Sequence, residues 1–282
     1  MIWGVSLRMI WVQRFMLSNY NYKLIFAFTF SALMSLPAAA QQPDQANLAA
    51  RLRSSSPEER YQVVREVFEI SPRDRNESLW VALADELQRL GTETHARDDA
   101  ASAGREVPLL RYDPDYYYAV AKAVSQWRDP RALPALITSA GRGMVVLQGI
   151  VQFRETAVAP LIQAVRSGHT DERGGALIAL RILLEGVLVE PYNIPPTPLS
   201  SAVREQIVQL ARELLKSKTL EWGQIPTLAD LALATGDEEL RQQIQSLAIS
   251  PVMIMQLSGL SDIAHILQLE NAIQAQLKKR GY

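Results

Sequence analysis

The sequence predicts an all-α chain, an α-solenoid of stacked antiparallel helix pairs, and three observations carry that prediction. Helix start and stop signals recur from Gln41 to the C-terminus, while strand signals hardly appear. Two segments, PRALPALITSAG (130–141) and FRETAVAPLIQAVRSG (153–168), place Pro134 and Pro160 at the same point of a helical apolar pattern, a step of 26 residues. Each is followed by a more apolar helical stretch, GMVVLQGIVQF (143–153) and then ERGGALIALRILLEG (172–186).

The elements follow in order. Lys23, the apolar run Leu24–Leu36 and the small residues ending at Ala40 have the three-part layout of a secretory signal over residues 1–40. Ala38 and Ala40 satisfy the small-x-small rule, so cleavage is expected after Ala40. The alternative is an uncleaved N-terminal anchor, and a start at Met16 would give the leader ordinary proportions. An N-terminal helical segment then fills 41–91. In it Ser56-Pro57-Glu58-Glu59 combines an N-cap, a first-turn proline and a capping-box glutamate. Tyr61, Val64, Val67 and Phe68 mark one face of that helix. The next helix opens at Asp74-x-x-Glu77, buries Leu79, Leu83, Leu87 and Leu90, and stops at Gly91. Thr92–Glu106 holds no large apolar residue, which predicts a linker over 92–113.

The solenoid itself is expected over 114–282. A proline in a helix interior costs about 3 kcal/mol, so Pro134 and Pro160, each about four residues into its helix on the apolar side, predict kinks that bend outer helices over their partners. Gly149, Gly174 and Gly175 would admit close helix approach. EPYNIPPTPLSS (190–201) is a proline-rich loop, a ligand contact or a stiff connector in equal measure. Further helices are expected at 202–216, 224–235, 238–250 (capped by Asp237) and 260–279. The last, with Leu260, Ile263, Leu267, Ile273 and Leu277 on one face, reads as a capping helix with a polar outer side, and Lys278, Lys279 and Arg280 complement its negative end.

ETAVAPLIQAVRSGHTDERGGALIALRILLEG (155–186) resembles a HEAT repeat, in the short form found in bacterial chains and phycobilin-lyase-like proteins. The matching residues are Ala157-Val158 followed by Pro160-Leu161-Ile162, the turn with Asp171, then Arg173 and the core run Ala176-Leu177-x-Ala179-Leu180. DPRALPALI (129–137) repeats the first half, so the likeness covers Asp129–Gly186. The resemblance implies a helical-repeat fold and an interaction surface, and it carries over no catalytic residue. The step is shorter than the roughly 40 residues usual for such repeats, which implies irregular hairpins.

Composition narrows the chemistry. The 282 residues carry a net charge of −1, and Arg8, Arg14 and Lys23 are the sole charges among the first 40, so the remaining chain is at −4. Such a balance has no electrostatic footprint for nucleic acid. With no cysteine there is no disulfide, thiolate metal site or cysteine nucleophile. His95, His169 and His265 stand in a linker, a turn and the last helix, without metal-ligand spacing, and Thr170 or Asp171 is the expected cap of the helix that follows. No phosphate loop, dinucleotide fingerprint or nucleophile elbow occurs, so neither cofactor, metal nor catalytic residue is assigned.

The most distinctive composition is RYDPDYYYAV (111–120). Tyr112, Tyr116, Tyr117 and Tyr118 cannot all face one core: in one reading Tyr117 packs inward with Val120, Ala121 and Val124 and the others sit at the edge, and in the other an exposed tyrosine anchors a partner. These four, with Tyr192, are the candidate partner-binding residues. The combined expectation is an exported, periplasmic or extracellular, non-enzymatic scaffold that binds another protein and has no membrane insertion after leader removal. The alternatives are a lyase-like or chromophore-handling repeat protein and a structural spacer in an envelope complex.

Overall fold

A computed structural model describes residues 44–54, 56–107, 114–189, 192–217, 221–259 and 262–282. The expected leader with Ala38 and Ala40, Tyr112, and Leu260 lie outside the described residues. Those described form thirteen α-helices and one two-stranded hairpin, so the all-α expectation holds. The helices are α1 (Gln45–Leu52), α2 (Pro57–Glu69), α3 (Glu77–Ser102), α4 (Pro114–Val124), α5 (Leu133–Thr138), α6 (Met144–Val151), α7 (Val158–Ser167) and α8 (Thr170–Glu185). Strands β1 (Val187–Val189) and β2 (Tyr192–Ile194) intervene before α9 (Ser201–Lys216), α10 (Ile225–Ala234), α11 (Glu238–Leu247), α12 (Pro251–Ser258) and α13 (Ile263–Lys279).

Side-chain caps set the early boundaries: Asp44 accepts from the first-turn amides of α1, Ser56 from Glu59 N–H in α2, and Asn76 from Leu79 N–H in α3. Asn76, not Asp74, therefore opens α3. The glutamate of the expected capping box points elsewhere, since Glu59 pairs with Arg51 (3.4 Å). In α2 the buried stripe is Val63, Val64 and Val67, and Tyr61 and Phe68 are exposed.

α3 runs unbroken to Ser102, where the sequence predicts a stop at Gly91 and a linker from 92. Tertiary packing explains the difference. A Cβ on the buried Gly91 would stand 2.7 Å from Thr138 Cγ2, so the glycine lets α5 lie against α3 and does not end it. Beyond it Thr94 and Ala100 are buried, a contact made with small side chains that a search for large apolar residues cannot register.

Consecutive helices pack as pairs: α1 with α2, α3 with α4, α5 with α6, α7 with α8, and α9 with α10. The first member of each pair also packs on the first member of the next, and the second members do likewise. Short amphipathic helices bury their apolar stripes only against neighbours, and Leu83, Leu136, Ile150, Leu161 and Leu180 are fully buried in this way. After α10 the order changes, and α13 packs on α10, α11 and α12.

The prolines correct the sequence reading. Pro134 is the second residue of α5 and Pro160 the third of α7, each after a 3₁₀ turn (Pro130–Ala132 and Arg154–Ala157). A first-turn amide has no intrahelical acceptor, so neither proline needs a kink. Both are exposed, not set in the apolar face. Pro226 repeats the arrangement in α10, after the turn Trp222–Gln224. Gly149 and Gly175 do mark close approach, the latter with a Cβ position 2.3 Å from the Ala140 carbonyl carbon, whereas nothing lies within 4 Å of that on Gly174.

The first part of the expected proline-rich loop enters the hairpin, where β1 and β2 pair antiparallel with Val187 opposite Ile194. Gly186 (φ +73°) makes the sharp exit from α8, and Thr197 N–H donates to Leu183 O (2.9 Å), pinning the proline stretch to α8. At the C-terminus α12 occupies residues expected to be loop. The buried stripe of α13 is Ile266, Leu269, Ile273 and Leu277, and Ile263 (71%) and Leu267 (49%) are exposed. Val252, Met253 and Met255 of α12 are exposed as well, so the outer side of this end is mixed, with Asn271, Gln274, Lys278 and Lys279 exposed on the later turns of α13. Arg280 does not serve the helix end. It reaches Asp230 on α10 (2.7 Å) and Glu185 on α8.

Candidate functional site

A groove of about 760 Å³ opens over α3, α5 and α7. Its floor is apolar: Pro130, Leu133, Pro134 and Ile137 from the first proline-bearing segment, and Pro160 and Ala164 from the second. The exposed prolines are therefore groove-lining residues. Along its walls stand hydrogen-bonding groups of Gln88, Thr138, Thr156, Gln163 and Ser167. Gln88 Nε2 donates to Thr138 Oγ1 (2.9 Å), while Gln88 Oε1 is buried and, among the described residues, accepts no hydrogen bond. A buried unsatisfied acceptor is costly, and here it stands in the wall of an open apolar groove.

The groove ends at Glu172, in a polar cluster that sequence reasoning did not assemble. The His95 and His169 rings stack, centroids 4.2 Å apart and nearly parallel at 14°. The extension of α3 carries His95 there, and His169, not Thr170 or Asp171, is the N-cap of α8. His169 Nδ1 accepts from Asp171 N–H (3.4 Å), and Glu172 Oε2 accepts from His169 N–H (3.2 Å), a reciprocal capping box. With Nδ1 accepting, Nε2 holds the ring hydrogen and donates to Asp99 Oδ1 (3.0 Å). His95 Nδ1 lies 3.7 Å from Glu172 Oε1.

Arg142, from the turn between α5 and α6, bridges Asp98 (2.7 Å) and Asp171 (2.5 Å) and locks α3 to α8. Burial, then the neighbouring His169 and Arg142, holds the His95 imidazole below its ordinary value against the pull of Glu172 and Asp171. Among the described residues no group of three or more His, Asp and Glu side chains is placed to hold a metal ion. The one sequence signal for this cluster was the spacing His169-x-x-Glu172, with the fold position of a capping box.

The tyrosines separate. Tyr116 and Tyr117 are buried in the core, which removes them as docking residues, and Tyr118 is 52% exposed. Tyr116 O–H donates to Glu86 Oε1 (2.6 Å), a buried carboxylate that also pairs with Arg89 (2.7 Å) and lies 3.5 Å from Arg60. Burial, then this hydrogen bond, pushes the Tyr116 phenol upward. Tyr192 is half-buried on β2, and burial, followed by the nearby Tyr118, raises its phenol. Of the candidate tyrosines among the described residues, Tyr118 on α4 and Tyr192 on the hairpin therefore keep accessible surface.

Comparison of the chain with protein-family models, with curated proteins and with solved structures gives no match.

Proposed function

We propose that this chain is an exported, non-catalytic scaffold, a HEAT-like solenoid whose groove holds an extended segment of another protein. The pairwise packing of α1–α10, with each pair laid on the next, supports the solenoid reading. The secretory layout of residues 1–40 supports export. One observation carries the binding reading: an open groove with an apolar, proline-bearing floor and hydrogen-bonding side chains along its walls. An extended peptide matches that lining, with backbone groups at regular intervals for the walls and apolar side chains for the floor. Gln163, Thr138 and Ser167 offer further hydrogen bonds along the same path.

The test uses the folded chain from Gln41 and a displayed library of extended peptides. Peptides selected on the wild type should be uncharged or apolar at alternate positions. They should lose at least about ten-fold in affinity to a Pro134→Arg/Pro160→Arg variant, which puts charge on the apolar floor, and to Gln88→Leu, which removes a polar group from the wall. Both prolines are exposed, so circular dichroism and the melting temperature should stay at wild-type values. Undiminished binding by both variants, or failure to select any peptide, would overturn the reading. Export is checked separately, by whether the chain recovered from its own cells begins at Gln41 in the fraction outside the cytosol.

A further inference from the structure

A second cavity, of about 420 Å³, lies away from the groove where the ends of α4 and α6 meet the hairpin. Its lining includes Arg128, Gln148, Arg154 and Asn193, with Ile194 and Pro195–Pro198 as an apolar wall, and no carboxylate is among its lining residues. Among the described residues neither Arg128 nor Arg154 has an ion-pair or hydrogen-bond partner. The two arginines occupy the same position of the 26-residue step, Arg128-Asp129 over Arg154-Glu155. In each dipeptide the acid is used elsewhere. Asp129 pairs with Arg131 (2.7 Å) and caps its N–H (2.9 Å), and Glu155 accepts from Ser200 N–H. The repeat thus delivers two uncompensated guanidinium groups to one cavity.

Helix-end electrostatics do not account for them. The last carbonyls of α4 accept from the amides of Ser125, Gln126 and Trp127, and just past the helix Gln152 Nε2 donates to Ser125 O (3.0 Å) and Trp127 O (3.2 Å). Nor do they account for the backbone at Arg154. With φ +53° it is the only non-glycine residue in the left-handed region among those described, a conformation that costs an arginine about 1–2 kcal/mol and that concentrates at functional sites.

We propose that Arg128 and Arg154 form a binding site for a small organic anion, a phosphate or carboxylate head held by the two guanidinium forks with an apolar body against Ile194 and the proline wall. Arginine forks match the geometry of both oxyanions, and the amides of Gln148 and Asn193 add donors at the same mouth. The site is independent of the peptide groove and stands if that reading falls.

Titration calorimetry with inorganic phosphate, phenyl phosphate and benzoate, at matched ionic strength in chloride, tests it. Saturable binding of at least one phenyl-bearing probe is expected, tighter than inorganic phosphate, and the ratio of phenyl phosphate to benzoate identifies the preferred head group. Arg128→Gln and Arg154→Gln should each weaken that binding about ten-fold or more. Arg154→Gly is the discriminating variant: glycine accepts positive φ, so it should melt at or above the wild-type temperature while binding as poorly as Arg154→Gln. Absence of saturable binding at millimolar probe, or equal binding by the wild type and an Arg128→Gln/Arg154→Gly variant, would overturn the proposal.

Discussion

His95 is where a single side chain reports most about this fold. Its imidazole sits below its ordinary value of 6.5 because burial, His169 and Arg142 outweigh Glu172 and Asp171, with Asp98 and Asp99 alongside on α3. The unfolded chain therefore binds a proton more readily than the folded one. The stabilisation is complete above about pH 6.5 and fades as pH falls below it towards the lower folded value. Urea midpoints measured at stepwise lower pH should fall more steeply for the wild type than for His95→Gln. Parallel pH profiles would show that the ring is not held neutral.

Tyr116 and Tyr118 give the second residue-scale expectation. Tyr116→Phe removes a hydrogen bond to the buried Glu86 and should destabilise by about 2 kcal/mol in urea denaturation. Tyr118→Ala should stay within about 0.5 kcal/mol. The sequence showed that the tyrosines could not share one face and offered Tyr117 as the inward one, and Tyr117 is buried; the burial of Tyr116, against Glu86 thirty residues upstream, was not legible locally.

At the scale of elements, helix starts were the most legible feature, because an N-cap is a contact between residues three apart. Ser56 and Asp237 perform as read, each accepting from the amide three residues on. Breaks were the least legible. Gly91 resembled a stop, but α5 needed its missing side chain. The adjacent glycines of α8 make the same distinction testable. Gly175→Ala would drive a methyl into the Ala140 backbone and should cost at least about 2 kcal/mol. Gly174→Ala meets nothing within 4 Å and should stabilise by about 0.5 kcal/mol or more, through better helix propensity. Thermal melts of the two variants should shift in opposite directions. The prolines belong here too: the 26-residue step was readable, but the 3₁₀ turn that puts each in a first turn and on the groove surface was not.

For the molecule as a whole, the ion-pair network of Arg181, Glu185, Asp230 and Arg280 ties the C-terminus back to α8 and α10. Arg280→Met would leave Glu185 and Asp230 with Arg181 as their remaining ion-pair partner among the described residues and should destabilise by about 1.5 kcal/mol, with faster amide exchange in α8, α10 and α13. Lys278→Met and Lys279→Met, with no ion-pair partner among the described residues, should leave exchange unchanged. Equal effects of all three would mean that the basic tail acts through the helix end, as the sequence alone suggests.

Helix content, the recurring step, most starts and the absence of thiol chemistry came from the sequence unaided, since each depends on residues within a turn or two of one another. The stacked histidines, the floor and wall of the groove, the paired arginines and the true course of α3 depended on which faces met. Those meetings join side chains dozens of residues apart, and the free energy that selects them comes from burial between helices, a quantity that no single helix carries in its own pattern.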